Sequence, residues 1–98
     1  MQTLKDYWEL EKNIMAMAYV LITTESGAVK NVLSALKKMD YVKETYMVYG
    51  VYDILAVVKA ETMDELREMV TWNLRSLDKV RSTLTMIVVE DATQPEDV

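Results

Sequence analysis

Residues 44–60, ETYMVYGVYDILAVVKA, decide how this chain folds. Two apolar runs meet at Tyr49-Gly50-Val51-Tyr52-Asp53, in a chain that holds only two glycines. A glycine between two such runs marks a hairpin, and Gly50-Val51 fits the two-residue type II′ turn that takes glycine first. The stretch therefore predicts a strand over 41–49, a tight turn, and a strand over 52–60. The first carries Lys43 and Glu44, which suits a sheet edge. The second is apolar on both faces, which suits a sheet interior.

Upstream, IMAMAYVLIT (14–23) is an unbroken apolar run of strand length. Alternation points Met17, Tyr19 and Leu21 one way and Ala16, Ala18, Val20 and Ile22 the other. Between this run and the hairpin lies TESGAVKNVLSALKKMD. Ser26 reads as an N-cap, and Val29, Val32, Leu33, Leu36 and Met39 recur at helical spacing, so a helix is expected over about 27–39. Lys37 and Lys38 then sit at its negative end.

Downstream, ETMDELREMVTWNLRSLDK opens on a capping box, with Thr62 as N-cap and Glu65 reaching back. Met63, Leu66, Val70, Leu74 and Leu77 form one apolar stripe. VRSTLTMIVVE (80–90) reads as a last strand, with Thr83 and Thr85 on one face and Leu84 and Met86 on the other. Residues 1–13 read as an N-terminal arm or short amphipathic helix. Residues 91–98 read as a frayed acidic tail holding the chain's only proline.

The order strand–helix–strand–strand–helix–strand predicts an α+β, ferredoxin-like βαββαβ domain over 14–90. Its four-stranded antiparallel sheet has the first and third strands at the centre and both helices on one face. The other face is apolar as well, and a monomer would leave it wet. A dimer packed through that face is expected. Trp72 falls about 160° from Val70 around the second helix, with Met69 at its flank. Trp72, Met69 and Tyr19 are the expected oligomer contacts, and an outward tryptophan points to an assembly larger than a dimer.

Composition narrows the functions. No cysteine and no histidine are present, which removes thiolate chemistry, the usual general base and the commonest zinc ligand. The Asp and Glu residues show no metal-loop spacing, and the eight methionines read as core filling. No cofactor is expected. Net charge is −5, so direct nucleic-acid binding is not expected. No apolar run reaches the roughly 20 residues of a membrane helix. The reading is a cytoplasmic protein with 51% apolar residues, generous for a small monomer.

YGVYDILAVVKA followed by L…LDKVRSTLTMIVVE is similar to the effector-binding RAM domain of Lrp/AsnC (feast/famine) transcriptional regulators. The resemblance covers about residues 15–90. Gly50 with Asp53 match the family's hairpin pattern, and Val80, Ser82, Thr83 and Thr85 match its final strand. The resemblance implies sheet-to-sheet dimers, rings often of eight chains, and amino acids or similar effectors bound near the hairpin at contacts between dimers. Family members typically carry a helix-turn-helix domain, for which this chain has no room, so a stand-alone effector module is expected. It would modulate transcription or amino-acid metabolism without touching DNA, and co-assemble with full-length regulators.

An amino-acid effector needs acceptors for its ammonium and donors for its carboxylate. Asp53 would take the ammonium. Backbone N–H groups at Gly50, Val51 and Tyr52 would take the carboxylate, since glycine lets a ligand approach the main chain. Thr83 and Thr85 would add hydroxyls, and Tyr49 and Tyr52 would wall the site. Two other functions fit the same pattern: a ligand-free assembly module, and a small dimeric ferredoxin-like enzyme limited to Asp, Glu, Tyr, Lys and Arg.

Overall fold

Burial alternates strictly along β1, Ala16–Thr24, and the rest of the architecture follows from that alternation. The computed structural model describes residues 16–89. The expected arm at 1–13, the expected strand residues 14, 15 and 90, and the tail at 91–98 lie outside the described residues. After β1 come α1 (Val29–Lys37), β2 (Val42–Met47), β3 (Ile54–Ala60), α2 (Met63–Glu68), a π-helical continuation (Met69–Leu74) and β4 (Val80–Ile87). The sheet order is β2-β3-β1-β4, with all neighbours antiparallel. The first and third strands are central and the charged second strand is an edge, as expected.

Register sorts the two faces. Ile22 stands opposite both Ile54 and Thr83, and Val20 opposite Ala56 and Thr85. Cross-strand partners share a face, so the helix-covered face carries Ala16, Ala18, Val20 and Ile22 of β1 and Ile54, Ala56, Val58 and Ala60 of β3. All eight are buried. Four of them are alanine, which keeps the sheet surface shallow beneath the helices. Val32 and Leu36 of α1 and Leu66, Met69, Val70 and Leu74 after β3 complete the core.

The opposite face carries Met17, Tyr19 and Leu21, flanked by Leu55 and Val57 on one side and Leu84 and Met86 on the other. Tyr46 adds to it from the edge. Of these, Tyr19, Tyr46, Leu84 and Met86 are exposed.

Three local readings needed correction. Ser26 does not cap α1. The chain turns at Glu25, whose carbonyl accepts from the Ala28 amide at 3.0 Å, and Gly27 takes a φ of +78° to make that turn. Ala28 is the N-cap and no side chain bonds there. The hairpin is wider than two residues. Val48 N–H donates to the Asp53 carbonyl at 3.0 Å, which leaves Tyr49-Gly50-Val51-Tyr52 in the loop, with Gly50 at φ +147°. Finally, the amide of Arg75 donates to the carbonyl of Val70, the five-residue spacing of a π-turn. Val70 and Leu74 both point inward around that turn, and so does Met69, whose amide still bonds to Glu65 at α-helical spacing, three residues after buried Leu66. Met69 is therefore only 3% exposed and offers little surface to an oligomer contact.

The capping box at α2 forms with one change. Glu65 N–H donates to the Thr62 hydroxyl at 3.1 Å, but the Glu65 carboxylate accepts from the amide of Glu61 rather than that of Thr62.

Candidate functional site

Asp53 ends the hairpin loop by binding to β1. Its amide donates to the Ile22 carbonyl at 2.9 Å. Its carboxylate accepts from the Thr24 amide at 2.8 Å and from the Thr24 hydroxyl at 3.3 Å, all through one oxygen, Oδ2. This carboxylate therefore has a structural task, holding the loop root against the end of a central strand. The loop itself projects outward: Tyr49 and Val51 are among the most exposed apolar side chains, while Tyr52 is half-buried. Gly50 has open space around it, so a Cβ there meets no neighbour, and the requirement for glycine comes from backbone angle alone.

Thr83 and Thr85 lie elsewhere. Both face the helix layer and line a groove of about 340 Å³ between α2 with its π-helical continuation and β4. Arg67, Thr71 and Arg75 form the helical wall, with Leu66, Val70 and Ile87 at the floor. The predicted site thus separates into two groups with β1 between them. Ile54, next to Asp53, is two inter-strand steps from Thr83, or about 10 Å. The groove that Thr83 and Thr85 line includes neither Asp53 nor any residue of the loop 49–52.

Sequence reasoning missed the helical wall of that groove. Arg67, Thr71 and Arg75 recur every fourth residue, a helical stripe that was visible, but nothing in the sequence told which strand would face it. A second, smaller groove of about 200 Å³ lies on the other flank of α2, between Tyr41, Glu65, Glu68, Met69, Trp72 and Asn73. Trp72 is 72% exposed there. Tyr19 and Trp72 sit on opposite sides of the molecule, the open sheet face and the helix layer, so they cannot serve one contact.

One titration is displaced on the open face. The Tyr46 hydroxyl donates to the Glu44 carboxylate, and that bond, together with the carboxylate's charge, holds the phenol above its ordinary value. Toward the other edge of the sheet, between β1 and β4, Thr23 and Ser82 share a hydroxyl–hydroxyl bond of 2.6 Å. Among the described residues, no group of Asp and Glu side chains converges as a metal site would, and no helix is long and apolar enough to cross a membrane.

Comparison with known proteins adds to this geometry. Residues 17–97 match the family described as Lrp/AsnC ligand binding domain. Over 80 residues the chain is 28% identical to YugG, an uncharacterized HTH-type transcriptional regulator of Bacillus subtilis, covering 81% of this chain and 48% of that protein. The chain thus spans about half the length of that curated relative. A hypothetical protein of Pyrococcus horikoshii superposes with a TM-score of 0.72 at 31% identity, over 83% of this chain and 98% of that one. AsnC of E. coli shares the fold, with a TM-score of 0.76 at 23% identity over 91% of this chain and 59% of that one. So does a transcriptional regulator of Neisseria meningitidis solved as an L-Met complex, with a TM-score of 0.72 at 13% identity over 100% of this chain and 62% of that one.

Proposed function

The chain belongs to the Lrp/AsnC ligand-binding domain family, and we propose that it works as a small-molecule sensing module whose effector is an amino acid or a close relative. The observation that carries this reading is the division of the site. The loop Tyr49–Tyr52 rooted at Asp53, and the threonines Thr83 and Thr85, lie on either side of β1. A site made of both groups is completed when the loop of one copy meets the groove of another. Sensing and assembly are then one event: ligand binds where copies meet and biases how they meet.

The roles follow the local chemistry. The free oxygen of Asp53 accepts from the effector's ammonium. Amides of Gly50, Val51 and Tyr52 donate to its carboxylate, with Tyr49 as a wall. The open sheet face, with Tyr19, Leu21, Leu55, Leu84 and Met86, packs against the same face of a second copy to make the dimer. Trp72, on the helix layer, is the contact that extends dimers into a ring. Every group named here lies within residues 17–97, the part that matches the family of ligand-binding modules. Such a module would act on transcription by joining full-length regulators through the shared sheet face. The Neisseria complex supports the amino-acid class, because the same fold accepts L-Met there.

A thermal-shift screen of the twenty amino acids tests the reading. A ligand specific for the folded state at a hundredfold excess over Kd stabilises by about 2.7 kcal/mol. One or a few amino acids should shift wild type and fail to shift Asp53→Asn. Asparagine is the right variant because its carbonyl oxygen can still accept from Thr24, so the loop root is kept while the charge is removed. No shift with any amino acid, in protein that still assembles, would move the conclusion to a ligand-free assembly module, the reading that the open apolar face supports by itself.

A further inference from the structure

The groove between α2 and β4 has a one-sided chemistry. The chain carries 16 acidic residues and 11 basic ones. Among the described residues that line this groove none is acidic, while Arg67, Arg75, Thr71, Thr83 and Thr85 all present hydrogen-bond donors. Two of the acidic side chains of α2, Glu65 and Glu68, line the separate groove that holds Trp72. The two grooves beside the helix thus differ, one lined by donors and the other by two carboxylates. The floor of the donor-rich groove is apolar, from Leu66, Val70 and Ile87.

We propose that this groove binds a small dicarboxylate, with Arg67 and Arg75 each holding one carboxylate and the threonine hydroxyls completing their hydrogen bonds. A guanidinium presents a planar fork matched to a carboxylate. Two forks that line one groove can each meet one end of a ligand that carries an anion at both ends. The apolar floor suits a short methylene chain between them. A volume of about 340 Å³ lies at the small end of ligand pockets. The inference rests on the effector-sensing reading in one respect, since Thr83 and Thr85 belong to both sites. It sharpens that reading to an effector with a second acidic group, such as an acidic amino acid.

Glutarate is the probe, because it lacks the ammonium that Asp53 would hold and so separates the two claims. Calorimetric titration at constant ionic strength would compare glutarate, the monoacid butyrate and inorganic phosphate. The proteins would be wild type, Arg67→Gln/Arg75→Gln and Asp53→Asn. Both arginines are exposed, so the double variant should fold as wild type does. The expected result is glutarate binding at least tenfold tighter than butyrate, lost in the arginine variant and kept in Asp53→Asn. Absence of glutarate binding overturns the proposal, as does binding that the arginine variant retains. Phosphate binding as tightly as glutarate with the same arginine dependence overturns the dicarboxylate and leaves a general anion site. Absence of glutarate binding together with an amino-acid shift that is lost in Asp53→Asn and indifferent to the arginines overturns the proposal and leaves the effector reading standing.

Discussion

The two faces of the sheet are built from similar residues and meet different ends. On the helix face, Val20, Ile22, Ile54 and Val58 are fully buried by the chain's own helices. On the other face, Tyr19, Leu84 and Met86 stay exposed, although each sits beside apolar partners in register. One face is satisfied within the chain. The other is an apolar surface of the kind that soluble monomers rarely leave uncovered. Both faces are apolar along the central strands β1 and β3, and helix placement separates them there.

Substitutions on the two faces should therefore fail in different ways. The largest effect belongs to the covered face. Leu36→Ala or Leu66→Ala removes a fully buried side chain and should cost about 2–5 kcal/mol in urea unfolding. Leu84→Lys on the open face should leave the chain folded but place like charges together between copies. Such juxtaposition costs on the order of several kcal/mol, read as a fall in mass by sedimentation. A stable, assembled Leu84→Lys protein would break the comparison.

Asp53 lies between these extremes, at the end of a central strand. Asp53→Ala strands the part-buried Thr24 amide, which now bonds at 2.8 Å, and should cost about 1–3 kcal/mol without any ligand. Asp53→Asn should recover most of that loss. Equal stability of the two variants would mean that the Thr24 bond contributes little.

The smallest effect is a pH dependence on the open face. Tyr46 is held above its ordinary value of 10.0 by the hydrogen bond to Glu44. A folded value above the unfolded one gives a contribution present below about pH 10 and lost as pH rises through the raised value. Alkaline unfolding should therefore show a slight loss of stability above pH 10 that Tyr46→Phe removes.

Much of this fold was legible because period and face are local properties. The runs around Ala18, Val58 and Thr85 dictated strands, and their apolar content separated central from edge. What was not legible depended on partners distant in sequence. Asp53 widened the hairpin by binding Ile22 and Thr24 of β1, a contact no turn rule contains. Met69, read as flanking Trp72, went inward because the sheet covers a wider face of the helix than the stripe of Leu66, Val70 and Leu74, and Met69 lies one turn past Leu66. The face of Thr83 and Thr85 was readable by alternation. Their neighbours Arg67 and Arg75 were not, because only tertiary packing sets that stripe against β4.

Sedimentation equilibrium of the wild-type protein at micromolar concentration tests the central claim most directly. A single chain weighs 11.3 kDa. If the open face is a meeting surface between copies, the measured mass will be at least twice that value, and Leu84→Lys will lower it. A wild-type protein that sediments as a single 11.3 kDa chain would contradict the account, because the apolar face would then be left to water and no second copy would complete the site.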